Sequence, residues 1–289
     1  MTDTQSPTPH PATVMTDVMD EIKSARALVA REDGFDSAQA LRVGLRRLRS
    51  GLTLFRPLLP AEHNKVLLEE ARWLAVEVTR LRDLYLLSQD TLTPARVALP
   101  NNAALAALEE RVLAAIARER QSLTDLLDGA RVAALLAATA EMCDEAFWKP
   151  VTGDTARLET LCHDVMELRL AQATKHGESL KRLDPQTRDS FRKALRKLRA
   201  TAEYSQILFA NKKTKAFLKQ LKKLLDAMTA ARDASAVRDT LEWLIADMEE
   251  GSAERHIAGE LIRAKASGVT LDAKRLQKLW RATVVLPLY

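Results

Sequence analysis

Six arginines on two short stretches carry the chemistry this chain could do. Leu41 to Arg49 reads Leu-Arg-Val-Gly-Leu-Arg-Arg-Leu-Arg, and Phe191 to Arg199 reads Phe-Arg-Lys-Ala-Leu-Arg-Lys-Leu-Arg. At 3.6 residues per turn, Arg42, Arg46 and Arg49 fall along one helical face and Leu41, Leu45, Leu48 and Leu52 along the adjoining one. Arg192, Arg196 and Arg199 repeat the arrangement. Successive guanidiniums on such a face rise by about 5 to 6 Å, at roughly 1.5 Å per residue. Each presents a fork of N–H donors suited to an oxyanion. The pattern is one for holding neighbouring oxyanions of a single polyanion.

The two stretches lie 150 residues apart, and the likeness extends beyond them. Leu68, Leu74, Arg82 and Asp83 match Leu218, Leu224, Arg232 and Asp233 at the same offset, and Lys65 and Arg72 match Lys215 and Lys222. Self-similarity at a fixed period points to a tandem repeat. The second set of cations is expected on the far wall of a cleft. The Arg-Asp pairs are assigned a structural role, because a carboxylate cannot ligate phosphate directly and serves a basic groove better by orienting its arginines or capping a turn.

Charge is distributed unevenly. Residues 36–60 hold five Arg against one Asp, and residues 186–223 hold twelve Lys or Arg against Asp189 and Glu203, so with a net charge of +5 the remainder carries about −9. Two basic segments in an acidic frame can focus a field on one concave surface.

The elements that must position these side chains are helices. Aromatic residues make up 4% of the 289-residue chain, with 9 Gly and 10 Pro, while 47% hydrophobic residues suffice for a core. The composition indicates an all-α protein. Residues 1–12, with three prolines and no apolar periodicity, are expected to form a flexible tail. Helices are predicted at about 14–30, 37–56, 61–89, 102–127, 131–142, 155–182, 186–209, 213–248 (one helix or a pair), 253–266 and 271–281. Asp36 or Ser37 is the expected cap of the first basic helix. Pro94 and Pro100 bracket an expected linker. Val66, Leu67, Trp73, Leu74, Val78, Leu81 and Leu84 are core candidates on the long third helix. Phe147 to Pro150 is read as the break between a first half at 13–148 and a second at 151–285, with Trp148 as a packing plug. The apolar end from Val284 to Tyr289 has no clear assignment. Two cysteines, Cys143 and Cys162, are too few for a disulfide framework. With no run of 18 apolar residues and no apolar signal core, the chain is expected to be soluble and cytoplasmic.

Leu-Arg-Val-x-x-Arg-Arg-Leu-Arg, then an Arg-Asp pair, then Arg-x-x-x-Arg-x-Leu-Arg and Leu-Lys-x-Leu in the second half, resembles the CHAD family, the conserved histidine α-helical domain. The resemblance covers roughly residues 14–250. It implies a single domain over 13–285, built of two pseudo-symmetric antiparallel helical bundles around a basic groove that binds inorganic polyphosphate, in members associated with polyphosphate granules. Carried over by position, the ligands are Arg42, Arg46, Arg49, Arg192, Arg196 and Arg199, with Lys219 and Lys222; Lys65, Arg72 and Lys215 join them from the repeat. The histidine three residues before each leading arginine is Gln39 in the first half and Asp189 in the second. Gln39 can donate a hydrogen bond to phosphate, whereas Asp189 is expected to clamp an arginine.

No phosphate loop, nucleophile elbow or metalloprotease motif is present. His163 and Glu167 are read as a surface pair rather than metal ligands. The chain is expected to be a non-enzyme without cofactor or metal. Two other partners suit the charge: nucleic acid, although the basic stripes lack the interleaved aromatics that single strands stack on, and an acidic protein.

Overall fold

In a computed structural model of the chain, residues 10–31, 34–148, 155–178, 184–268 and 272–286 are described. Among them there are thirteen α-helices and no strand. The first six are α1 (Pro11–Arg31), α2 (Phe35–Leu54), α3 (Ala61–Leu87), α4 (Thr93–Ala98), α5 (Ala103–Leu127) and α6 (Ala130–Glu141). The short α7 (Glu145–Trp148) precedes α8 (Thr155–Gly177), α9 (Pro185–Leu208), α10 (Lys212–Ala227), α11 (Thr229–Leu244), α12 (Ala253–Ser267) and α13 (Ala273–Val284). The chain is all-α, and α9 and α12 begin 150 residues after α2 and α5.

Side-chain caps fix several starts by accepting the otherwise orphaned first N–H groups. Asn102, Asp184, Asn211, Ser252 and Asp272 cap α5, α9, α10, α12 and α13. Helix α2 differs from expectation: Asp36 and Ser37 lie inside it, and Ser37 Oγ donates to the Gly34 carbonyl at 2.9 Å. Phe35 is the first residue of the helix, and its ring lies under the Arg82 guanidinium, 5.0 Å from the centroid.

The expected linker between Pro94 and Pro100 is helical for most of its length. A π-turn over Ser88–Leu92 leads into α4, with Pro94 in its first turn, where the missing N–H costs no hydrogen bond. The Asp90 carbonyl, four residues earlier, receives Lys265 Nζ at 3.0 Å. The stretch at 213–248 is a pair of helices. Pro11 and Ala12, expected in the tail, are buried in α1; the rest of that expected tail through residue 9 lies outside the described residues.

The leucines of the two basic stretches are core residues: Leu41, Leu45, Leu48, Leu52, Leu195 and Leu198 are fully buried or nearly so. On α3 the buried stripe runs through Leu67, Ala71, Leu74, Val78, Leu81 and Leu84. Val66 lies off that stripe and is 54% exposed, while Trp73 is half-buried under Arg131, 3.6 Å from its ring. Trp148 is fully buried, edge-on to Phe55 and Phe147, and its indole N–H donates to the Met142 carbonyl at 2.8 Å. Lys149 and Pro150 of the expected break lie outside the described residues, as do Pro287 to Tyr289; Val285 is exposed and Leu286 packs on the core.

The core does not divide where the repeat does. One cluster joins α1–α6 with Val237 and Leu241 of α11 and Ile257 and Leu261 of α12; the other gathers α8, α9, α10 and α13 around Phe191, Phe217 and Trp280. Helices α2 and α9 pack on each other, so the two arginine stripes meet at the joint.

Candidate functional site: a cationic cavity between α2, α3, α8 and α9

Where α2 and α9 meet, a cavity of about 610 Å³ opens. Arg46 and Arg49 enter it from α2, Lys65 and Arg72 from α3, and Arg196 from α9, which brings five of the expected ligands to one place. Arg56, Arg169 and Lys197 also line it and were not anticipated. Eight cations against Glu62 and Glu69 leave a net +6 on the walls, and no aromatic ring lines them.

The guanidiniums at the centre are uncompensated. Among the described residues, those of Arg42, Arg46, Arg49 and Arg196 make no hydrogen bond or ion pair, and Arg42 Nε is buried without a partner. Burial, followed by the neighbouring Arg196, Arg82 and Arg46, lowers Arg42 from the ordinary arginine value to about 10, with Asp83 acting the other way. Burial, followed by Arg192, Arg46 and Arg82, lowers Arg196 to about 10. Burial likewise lowers Arg46, with Arg199 and Arg192 adding to it against Glu203, and lowers Arg49, with Arg72 adding to it. Lys197 is lowered by burial and then by Arg169 and Arg49. All remain charged at neutral pH. Helix formation and leucine packing force together like charges that would otherwise separate.

Two Arg-Asp pairs explain how that crowd is held. Arg82 Nη1 donates to Asp83 at 2.6 Å and Nη2 to Asp233 at 3.2 Å; Arg232 Nη1 donates to Asp233 at 3.0 Å and Nη2 to Asp83 at 3.2 Å. This reciprocal tetrad ties α3 to α11. Arg82 Nε also donates to Gln39 Oε1 at 3.3 Å, so Gln39 is engaged with the tetrad. Asp189 takes Arg192 Nη2 and Lys193 Nζ at 2.6 Å each, the arginine clamp expected of it.

The other expected ligands lie elsewhere. Arg42 stands behind the cavity lining, between Arg46, Arg196 and the tetrad. Arg192 lines a second cavity of about 340 Å³ with Arg188, Arg232, Asp83, Asp189 and Asp239, a balanced set of charges. Arg199 is held by Glu203 at 2.7 Å. Lys215, Lys219 and Lys222 are exposed on α10 and line neither cavity, and Lys222 pairs with Asp226 at 2.7 Å. Glu203 and Tyr204 stand 150 residues after Thr53 and Leu54 of the cavity wall. The buried Tyr204 ring fills the space over Gly51, and its hydroxyl donates to the Arg47 carbonyl. Tyr204 is thus used in the joint between α9 and α2.

His163 Nδ1 and Glu167 Oε1 are 3.9 Å apart at the surface, and no three His, Cys, Asp or Glu among the described residues could hold a metal ion. Cys143 and Cys162 are free; burial pushes the Cys162 thiol up to about 11. No described helix is long and apolar enough to cross a membrane.

The model of the CHAD domain family matches residues 13–242. Among solved structures, the CHAD domain from the plant Ricinus communis is similar at 20% identity with a TM-score of 0.78, covering 94% of this chain and 90% of that one. PptA from Streptomyces chartreusis is similar at 18% identity with a TM-score of 0.65, over 97% of this chain and all of that one. No curated protein matches the chain.

Proposed function

The chain belongs to the CHAD domain family, and from that premise we propose that it is a binding protein for inorganic polyphosphate, an accessory or granule-associated protein rather than an enzyme. The observation that carries this reading is the set of unpaired guanidiniums of Arg46, Arg49 and Arg196 around one cavity, backed by Arg42. Helical protein normally gives buried charges a partner, and here the partner is left to the ligand. A linear chain of phosphates satisfies several N–H forks at once and relieves their mutual repulsion. RNA and DNA carry the same charge, but the cavity walls offer bases no aromatic platform to stack on.

Calorimetric titration with long-chain polyphosphate, tripolyphosphate, orthophosphate, RNA and duplex DNA at matched salt tests the proposal. Affinity is expected to rise with phosphate chain length, and log K to fall steeply with log salt, as counterion release requires. Replacing Arg46 and Arg196 by Glu is expected to abolish binding with helix content intact. Orthophosphate binding as tightly as the long chain, or a folded double variant with unchanged affinity, would rule out this surface.

A further inference from the structure

We propose that the outer faces of α10 and α13 form a second polyanion-binding surface, which holds the polyphosphate chain where it runs out of the cavity; this rests on the cavity reading above. Helix α10 carries six lysines and one aspartate, and α13 carries four cations and no carboxylate. The two helices pack side by side, and α10 packs on α9, which supplies Arg196 and Lys197 to the cavity. Helix α13 also touches α9 directly, through Trp280 against Phe191. Helix α13 lies beyond residue 242, where the family match ends.

Several exposed arginines are neutralised locally, as in Arg131 with Glu70 at 2.5 Å and Arg238 with Asp239 at 2.9 Å. Lys274, Lys278 and Arg281 are exposed, and among the described residues their side chains make no ion pair. Asp272, just before α13, is engaged in capping the Lys274 and Arg275 backbone N–H groups at 2.8 and 3.1 Å. The three cations fall at i, i+4 and i+7, a row about 10 Å long at 1.5 Å per residue, suited to oxyanions repeating along a linear chain. Lys219 and Lys223 are exposed on the neighbouring helix.

A basic helix with an apolar face can also lie in a bilayer surface. That face of α13 is already used: Leu276 and Trp280 are buried, the Trp280 indole is edge-on to Phe191 at 5.2 Å, and a Cβ at Gly177 would collide with it. With only the charged face free, α13 is fitted to a polyanion in solution.

The test compares the wild type with Lys274→Gln/Lys278→Gln/Arg281→Gln and, separately, with Arg46→Gln/Arg196→Gln, each checked by circular dichroism. Tripolyphosphate and long-chain polyphosphate are titrated over a salt series, and vesicles of phosphatidylserine and of phosphatidylcholine are tested by co-sedimentation. The α13 variant is expected to bind tripolyphosphate unchanged and long-chain polyphosphate roughly tenfold to a hundredfold more weakly near 0.1 M salt, with the log–log salt slope shallower by about 2, at roughly 0.7 per lost contact. The cavity variant is expected to lose both ligands. Equal binding of the long chain by the wild type and a folded α13 variant would overturn the inference and leave the cavity reading standing; so would loss of phosphatidylserine adsorption with long-chain affinity unchanged. Equal loss of both phosphates in the α13 variant would also overturn it, because the row would then act on the cavity. No binding by the wild type would end both readings.

Discussion

Replacing Arg196 by Met should make the empty protein more stable while weakening its grip on polyphosphate. Arg196 lines the cavity, has no hydrogen-bonding partner among the described residues, and is lowered from the ordinary arginine value to about 10 by burial and then by Arg192, Arg46 and Arg82. At about 1.4 kcal/mol per pH unit, that difference amounts to about 3 kcal/mol of unfavourable charge energy in the folded state. Water at the cavity mouth screens part of it, so a gain of about 1 to 2 kcal/mol is expected. Met keeps the methylene packing and removes the charge. The basic group binds fewer protons folded than unfolded only from about pH 10 up to the ordinary arginine range, so its penalty is complete below about pH 10 and is relieved above it. At pH 7 it is flat, and substitution rather than titration exposes it. For a chain of this size a gain of 1 to 2 kcal/mol raises the melting temperature by about 2 to 6 °C. Scanning calorimetry at pH 7, with and without long-chain polyphosphate, reads both effects. Ligand at a hundred times its Kd should stabilise the wild type by about 2.7 kcal/mol, and the variant should gain less at the same concentration. A lower melting temperature for the ligand-free variant would refute the reasoning, since it would mean that Arg196 is compensated in solution.

The remaining expectations concern the scaffold and the clamp. Leu45→Ala or Leu195→Ala, both at fully buried positions, should cost about 2 to 5 kcal/mol in denaturant unfolding through the cavity each leaves, with affinity unchanged in protein that remains folded. Asp233→Asn removes one negative charge from the tetrad and leaves Asp83 alone to serve both Arg82 and Arg232; breaking a largely buried pair should cost about 2 to 4 kcal/mol. A double-mutant cycle with Asp83→Asn should show strong coupling, and additive effects would mean that the pairs act independently. Asp189→His frees Arg192 and Lys193 and introduces a group that gains charge as pH falls, so polyphosphate affinity at pH 5.5 should exceed that at pH 8, unlike in the wild type. Weaker binding by this variant at both pH values would show that Asp189 positions Arg192 for the ligand.

Much of this was written locally in the sequence. The leucine spacing of 41, 45, 48 and 52 dictates both the buried stripe and, by the same geometry, the arginine stripe beside it. Trp148 could be read as a plug because a large ring next to a proline has few other uses. Asp189 could be read as a clamp because an anion on an arginine face must neutralise something. What was missed depends on neighbours distant in sequence. Arg169 and Arg56 stand where the other half has Met19 and Gln206, so the repeat gave them no signal. Their place in the cavity comes from the packing of α8 and of the turn Arg56–Leu58. Lys215 and Lys222 were expected at the cavity because they repeat Lys65 and Arg72, and Lys219 and Lys222 because the family resemblance carried them there. The repeat copies two of these cations, but the cavity walls come from α2, α3, α8 and α9 and leave α10 outside.

The partition of carboxylates decides where the field of the molecule goes. Asp83 and Asp233 both act on the arginine crowd, and both are committed to Arg82 and Arg232 in a closed reciprocal set. Asp189 is committed to Arg192 and Lys193, and Glu203 to Arg199. Each of these acids neutralises a cation at the edge of the cluster and fixes a helix in doing so. None makes an ion pair with Arg42, Arg46 or Arg196; Asp83, Glu203 and Asp233 temper those charges without cancelling them. Had the acids been spread among those arginines instead, the joint between α2 and α9 would be more stable and the cavity close to neutral. The fold therefore carries a cost in the empty state that a bound polyanion removes.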